Sequence, residues 1–217
     1  MSFMKLAAAA SLGLAISGVA ATSAMAISVT PGEIAGNIDF SSGVLSGSGA
    51  NITLEADGLL FSPVNLAGGS GSGNCGALGG TCIQINGSAD PVEITTSPAG
   101  GTFDLNMLAF ILDGNASELS VFDFDPTTGT AVVSASGDNK CTATATLFCI
   151  VNNQWYTIDF MGTLSGVTSV FLENTGKGNL RIGGIDATVA AVPLPASSLL
   201  LLAGLGGLFA AKRRKAA

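Results

Sequence analysis

The chain has 217 residues, of which 47% are hydrophobic and only 11% charged, with 15 acidic and 8 basic side chains, no His and 4 Cys. Globular domains carry about 25% charged residues, so this composition argues against an ordinary cytosolic enzyme, and its hydrophobicity argues against disorder. Without His, the commonest general base and metal ligand is missing. The formal net charge of −7 argues against nucleic-acid binding, which needs a basic face. An envelope or extracellular protein is favoured.

Charge is unevenly distributed along the chain. All 15 acidic residues lie between Glu33 and Asp186, a stretch with only three basic residues, which gives it a net charge of −12. The other basic residues lie near the two ends of the sequence: Lys5, Lys212, Arg213, Arg214 and Lys215. Cations beside apolar runs are typical of membrane-targeting segments.

The N-terminal segment has the three parts of a secretory signal peptide. Lys5 supplies the positive region, Leu6–Ala20 is an uncharged apolar stretch, and Ala24-Met25-Ala26 is a cleavage site with small residues. The sequence predicts a signal helix over residues 1–26, cleaved after Ala26, so that the mature chain begins at Ile27.

The C-terminal segment predicts a single membrane span. Its apolar run from Leu194 to Ala211 has 18 residues without charge, about 27 Å as a helix, close to a hydrocarbon core of about 30 Å. The basic tail Lys212, Arg213, Arg214 and Lys215 places the C-terminus in the cytoplasm by the positive-inside rule. Residues 193–217 are therefore expected to anchor a domain that lies outside.

The same tail carries a resemblance. Val192, Pro193, Leu194, Pro195 and Ala196, followed by an apolar run and a basic cluster, resemble the PEP-CTERM class of bacterial sorting signals in its VPLPA variant. The resemblance implies recognition by an exosortase in the inner membrane, cleavage near the proline motif, and delivery to the cell surface or exopolysaccharide matrix. A plain anchor that is never cut is the alternative.

Residues 27–192 predict one all-β domain. Short alternating or apolar runs indicate strands at 51–56, 59–61, 82–85, 92–95, 102–112, 119–125, 130–136, 141–151, 155–161, 167–173 and 179–182. The run at 102–112 becomes wholly apolar, which predicts a central strand buried on both faces. We expect a two-sheet β-sandwich, jelly-roll-like, flanked by the N-terminal signal helix and the C-terminal transmembrane helix.

Three local sequence features of this domain lead to specific structural predictions. Asp57-Gly58 predicts a tight hairpin turn. The strands at 167–173 and 179–182 predict a second hairpin around the intervening turn. Gly183-Gly184 shifts the alternation by one residue, which predicts a β-bulge that leaves Ile182 and Ile185 on the same face.

The four cysteines suit an oxidising compartment. Three pairings are possible, and Cys75–Cys82 with Cys141–Cys149 is favoured because sequence neighbours close at the smallest entropy cost. A zinc site is the alternative, but the chain has neither a C-x-x-C pair nor a His.

Two weak candidate sites remain. Asp123 and Asp125, two residues apart before a turn, could hold Ca²⁺, or they form an ordinary solvated strand end. Trp155 is the only Trp. By alternation it faces away from Tyr156, Ile158 and Phe160, and with Asp159 it could contact a sugar ring, or it packs under a loop.

The sequence therefore predicts an exported, non-catalytic surface or matrix protein, structural or adhesive, with an exosortase and the membrane as partners and no nucleic acid. It calls for no cofactor other than the calcium considered above. A carbohydrate-binding or carbohydrate-cleaving sandwich that contacts extracellular polysaccharide is the alternative. A paired-carboxylate glycosidase site is not marked by any spacing in this sequence, and no His could activate a serine nucleophile.

Overall fold

The computed structural model describes residues 27–190, except 49–51, 69–74, 76–80, 88–89, 115–116, 125 and 128. The predicted signal segment 1–26, the sorting motif Val192–Ala196 and the rest of the 193–217 tail lie outside the described residues. Within the described part of the chain, no helix is long and apolar enough to span a membrane.

The described residues form strands and no helices, which confirms the all-β prediction. The strands are β1 (Ser28–Pro31), β2 (Val44–Ser46), β3 (Thr53–Ala56), β4 (Leu59–Ser62), β5 (Asn65–Gly68), β6 (Thr81–Asn86), β7 (Val92–Thr96), β8 (Phe103–Asp113), β9 (Glu118–Phe122), β10 (Val133–Ser136), β11 (Leu147–Cys149), β12 (Trp155–Asp159), β13 (Ser169–Asn174) and β14 (Asn179–Val189). Most of these strands lie where alternating or apolar runs predict them. The exceptions are β1, β2 and β5, whose sequences lack a clear alternating pattern.

The strands build two sheets that pack face to face as a β-sandwich. The first sheet has six strands in the order β1-β12-β8-β14-β6-β5, and the second has eight in the order β11-β10-β9-β13-β7-β4-β3-β2. Inward side chains of both sheets form one apolar core, with Phe61, Phe103, Phe110 and Phe160 among its largest buried members. Burial of this apolar area is the main driving force for folding.

Strand β8 is central, as its apolar sequence predicts. It pairs antiparallel with β12 on one side and with β14 on the other. Phe110 and Leu112 belong to the core between the sheets, while Ala109 and Ile111 point to the outer face and are nevertheless buried. A strand covered on both faces reads as a continuous hydrophobic run.

The predicted turn and bulge are both present. Asp57 and Gly58 join β3 to β4 with φ values of 48° and 81°, the positive pair that a two-residue hairpin of type I′ requires. In β14, the register against β8 shifts between Ile182 and Gly184. Ile182 and Ile185 are both fully buried, so the bulge resets the alternation as expected.

The predicted hairpin between 167–173 and 179–182 is wrong. Strand β13 belongs to the second sheet, where it pairs with β7 and β9, whereas β14 belongs to the first sheet, beside β6 and β8. The turn between β13 and β14 is therefore a corner at which the chain passes from the second sheet to the first. A turn sequence alone does not reveal which sheet the next strand joins.

Several predicted strands are shorter in the structure. The clearest case is 141–151, where only Leu147–Cys149 is a strand, paired parallel with β10. The preceding residues turn back on themselves, because the Cys141 amide donates to the Asp138 carbonyl and the Thr144 amide donates to Leu147. Likewise the strand predicted at 130–136 begins only at Val133, and β9 ends at Phe122 rather than at residue 125.

A buried asparagine holds the β13–β14 corner together. Asn174 is 2% exposed. Its Nδ2 donates to the Ile85 carbonyl in β6 at 3.0 Å and to Gly178 at 2.7 Å, while its Oδ1 accepts from the amides of Gly176 at 3.1 Å and Glu118 at 3.3 Å. One side chain thus satisfies four backbone groups at the place where both sheets meet.

We expect Asn174→Ala to lower the free energy of unfolding by about 3 kcal/mol, because it removes four hydrogen bonds made by a buried side chain, one of them to the buried Ile85 carbonyl. The matched control is Asn86→Ala, at an exposed residue whose Oδ1 accepts a hydrogen bond from Gln84 Nε2 at 2.7 Å. That change should stay within about 0.5 kcal/mol. Urea unfolding measures both; equal effects of the two substitutions would contradict the role given to Asn174.

Candidate functional site

Residues 32–37, here named the strap, cross the outer face of the first sheet. At the start of the strap, the Gly32 amide donates to the Trp155 carbonyl at 2.9 Å, and Thr157 Oγ1 donates to the Gly32 carbonyl at 3.1 Å. At its end, the amides of Asn37 and Ile38 donate to the Ile185 carbonyl at 2.9 and 3.1 Å. Because β8 lies between β12 and β14, the strap passes over three strands.

The two glycines of the bulge let the strap come close to β14. A Cβ on Gly184 would overlap the carbonyl oxygen of Ile34 and would lie 2.9 Å from that of Ala35. A Cβ on Gly183 would lie 2.5 Å from Trp155 Cη2. Any larger residue at either position would push against backbone or an aromatic ring, so glycine is needed here for close approach.

The strap explains why the outer face of β8 is apolar. In the sheet register, Ala109 lies between Thr157 and Gly184, and Ile111 lies between Trp155 and Arg181. Thr157 and Gly184 both contact the strap. Ala109 thus lies where the strap, which is distant in sequence, crosses the sheet, and Ile111 lies between Trp155 and Arg181.

Asn37 fastens the far end of the strap. Its Nδ2 donates to the Ala187 carbonyl at 2.8 Å, and its Oδ1 accepts from the Ala187 amide at 2.9 Å. The side-chain amide therefore replaces a strand neighbour at the part of β14 that extends beyond β6. After it, Ile38 and Phe40 enter the core, where the Phe40 ring meets Phe61 edge-on with 5.5 Å between ring centroids.

Trp155 lies where the alternation predicts. Tyr156, Ile158 and Phe160 belong to the core, and Trp155 points to the outer face, half-buried. Its ring edge stands over Gly183, and Glu33 Oε1 lies 3.4 Å from the same point above that glycine. The indole and a carboxylate of the strap therefore converge on the bulge.

A cavity of about 240 Å³, here named the strap cavity, opens beside this point. Its lining includes Glu33, Asn37, Asp39, Ser41, Thr81 and Gly183, together with the Cys75 end of the first disulfide. The lining offers carboxylates, hydroxyls and an amide, together with the apolar residues Ile38 and Phe40. Such a concave, partly polar surface can hold a small hydroxyl-rich molecule.

Asp39, an exposed residue of this lining, is held in place by its neighbours. Its Oδ1 accepts from the Ser41 amide at 2.9 Å and from the Ser41 hydroxyl at 2.6 Å. These hydrogen bonds stabilise the carboxylate and lower the pKa of Asp39 below its ordinary value. Asp39 is therefore a negatively charged acceptor at neutral pH.

The sugar-contact pair predicted from the sequence is not brought together. Trp155 and Asp159 share the outer face of β12 but lie at opposite ends of it, four residues or about 13 Å apart. Asp159 Oδ1 accepts from the Met161 amide at 2.9 Å. The acidic residue beside Trp155 is instead Glu33, which sequence reasoning missed because nothing local connects it to β12.

The calcium prediction is only partly visible. Asp123 is exposed just after β9, and Asp125 lies outside the described residues. In the described portion of the chain, no group of three or more acidic or cysteine side chains is placed to hold a metal ion. Calcium binding stays a prediction.

Both disulfides have the pairing favoured from the sequence. Cys75 is joined to Cys82 at the edge of the strap cavity, and Cys141 is joined to Cys149 in the loop that precedes and includes β11. Two disulfides fit folding in an oxidising compartment.

Hydrogen bonds to Asp104 join β8 to the loop before β13. Asp104 Oδ1 accepts from the Ser165 hydroxyl at 2.7 Å and from the Gly166 amide at 2.6 Å. The Ser165 hydroxyl and then the Gly166 amide lower the pKa of Asp104 below its ordinary value of 3.8.

Comparison of the chain with known protein families, with curated proteins and with solved structures gives no match.

For Asp104 we expect an NMR titration of the carboxyl group to give a pKa below 3.8 in the folded protein, and Ser165→Ala to raise it. Because the folded pKa is lowered, the stabilising contribution is complete above 3.8 and is lost as the pH falls through the folded value. Ser48→Ala, at an exposed residue outside this contact, is the control. An Asp104 pKa that is the same in all three proteins would refute the assignment.

Proposed function

We propose that this protein is exported, held in the inner membrane by its 193–217 tail, cut by an exosortase, and delivered to the cell surface or exopolysaccharide matrix. There its β domain acts as a structural or adhesive, non-catalytic element. The three-part order of the tail, with Val192–Ala196, the apolar run and the cluster Lys212–Lys215, supports the sorting route. The two disulfides and the signal-like segment 1–26 support export.

One structural observation carries most weight for this proposal. The last backbone hydrogen bond of the sandwich is donated by the Ala190 amide to the Thr102 carbonyl at 2.9 Å, only two residues before Val192. The motif therefore follows directly on the last strand of the domain. Cleavage at the motif would leave every described strand and both disulfides in the released product.

We propose further that the sandwich is jelly-roll-like. Consecutive strands β6, β7, β8 and β9 alternate between the two sheets, as do β12, β13 and β14. The central order β6-β14-β8-β12 in one sheet faces β7-β13-β9-β10 in the other, which is consistent with two interlocked Greek keys.

A second function, carbohydrate binding, is favoured by one observation. The ring of Trp155, the only Trp of the chain, lies over Gly183, which lines a partly polar cavity on the outer face of the sandwich. Binding of a glycan would retain the released domain in a polysaccharide matrix.

The sorting route predicts a change in mass that depends on an exosortase. Full-length chain expressed together with the enzyme should be shortened at its C-terminus at or near Val192–Ala196, as intact mass spectrometry would show. The double substitution Pro193→Ala and Pro195→Ala should leave the chain uncut, because it removes the two residues that define the motif.

The control is Pro126→Ala, in the turn after β9, which should be cut like the unmodified chain. An identical mass with and without the exosortase would contradict the sorting route and favour a permanent anchor.

A further inference from the structure

We propose that the strap cavity binds a single neutral sugar ring, at the end of a polysaccharide or within one. This inference deepens the second function, carbohydrate binding, and rests on it. It moves the site from the Trp155–Asp159 pair to the cavity formed by the strap, its continuation through Ser41, and Thr81 at the start of β6.

The size of the cavity selects the ligand. A volume of about 240 Å³ lies below the roughly 300–1,000 Å³ of pockets that enclose drug-sized ligands. It suits one sugar ring rather than a long stretch of polymer. The cavity opens at the surface, so the rest of a chain could continue into solvent.

The polar lining suits sugar hydroxyls. Glu33 and Asp39 present carboxylate oxygens, which accept hydrogen bonds from neighbouring hydroxyls of a sugar. The hydroxyls of Ser41 and Thr81 can donate to or accept from the ligand. Hydrogen bonds to charged acceptors are the stronger ones, so the two carboxylates would fix the orientation of the ring.

Trp155 adds an apolar partner at the rim. Its ring edge stands over Gly183, which is part of the cavity lining, and Glu33 Oε1 lies 3.4 Å from the same point. The aromatic ring can pack against the C–H face of a sugar, and the carboxylate beside it can accept hydrogen bonds from the hydroxyl groups at the sugar's edge. Trp is also the side chain that contributes most area at low entropy cost.

The charge around the cavity selects neutral sugars over acidic ones. Among the described residues, the lining contains two acidic side chains and no Lys or Arg. Arg181, on the same face, is 7% exposed and pairs through Nη2 with Asp113 at 3.0 Å. A uronic acid would bring its carboxylate next to the carboxylates of Glu33 and Asp39, and the repulsion between like charges disfavours binding.

The site is held in place before any ligand arrives. Both ends of the strap are hydrogen-bonded to the first sheet, Asn37 pairs with the backbone of Ala187, and the Cys75–Cys82 disulfide closes one side. Preorganisation lowers the entropy cost of binding.

The test uses the full-length chain in detergent and the fluorescence of Trp155, the only Trp. The probes are neutral oligosaccharides of glucose, galactose and mannose, with an alginate oligosaccharide as the acidic probe. We expect at least one neutral probe to give a saturable change in Trp155 emission, and alginate to bind at least tenfold more weakly.

Variants locate the site. Glu33→Gln, which replaces a charged acceptor with a neutral amide, and Thr81→Val, which removes a hydroxyl, should each weaken binding of the neutral probe roughly tenfold. The matched controls Glu93→Gln and Thr95→Val, half-buried positions on β7 of the second sheet, should bind like the unmodified chain. Circular dichroism confirms that each variant is folded.

The outcomes separate this site from the function on which it rests. If none of the probes binds by calorimetry, both carbohydrate binding and the strap-cavity site are overturned. If a neutral probe binds while Trp155 emission and the Glu33 and Thr81 variants are unaffected, the function survives and the site is wrong. If alginate binds as tightly as the neutral probes, the assignment to neutral sugars is wrong.

Discussion

The close approach of the strap to the Gly183-Gly184 bulge is the constraint on which the outer face of the first sheet depends. Gly184 has no room for a Cβ beneath the Ile34 carbonyl, and Gly183 has none beneath Trp155. With the strap in place, β8 is buried on both faces, Trp155 has Glu33 as a neighbour, and a cavity forms along the strap from Glu33 to Asn37. The packing of the strap on β14 and the candidate binding cavity thus both depend on Gly183 and Gly184. A substitution at either glycine would affect both features.

The neighbours of β14 show how the strap fits into the first sheet. Strand β14 has the bulge in its middle. It is preceded by the corner at Asn174, the last residue of β13, and followed by the Ala190 amide, which makes the last backbone hydrogen bond among the described residues. It pairs with β8 over most of its length and with β6 only up to Ile182. Beyond Ile182 the strap takes the place of β6 beside β14. This is why Asn37 is hydrogen-bonded to Ala187, 150 residues further along the chain.

Sequence reasoning reached the features that depend on local pattern. The two-sided burial of β8, the Asp57-Gly58 turn, the bulge, and the orientation of Trp155 all follow from alternation or from residue types at neighbouring positions. It failed where the decisive contact is distant. The turn after Asn174 looks like a hairpin turn, and only the partners of β13 and β14 show that the chain changes sheets. The strap has no periodicity, so neither its path nor the proximity of Glu33 to Trp155 could be predicted, and Asp159 was grouped with Trp155 only because the two share a face.

A domain built in this way suits the exported, matrix-associated role proposed for it, with the proposed sugar-binding surface on one face and the proposed sorting motif shortly after β14. The most direct test of the account is hydrogen exchange on Gly184→Ala. The account predicts that the amides of Asn37 and Ile38, which donate to Ile185, exchange at least tenfold faster, while the amide of Val170 in the second sheet keeps its protection. Unchanged protection at Asn37 and Ile38 would contradict the claim that the bulge glycines hold the strap.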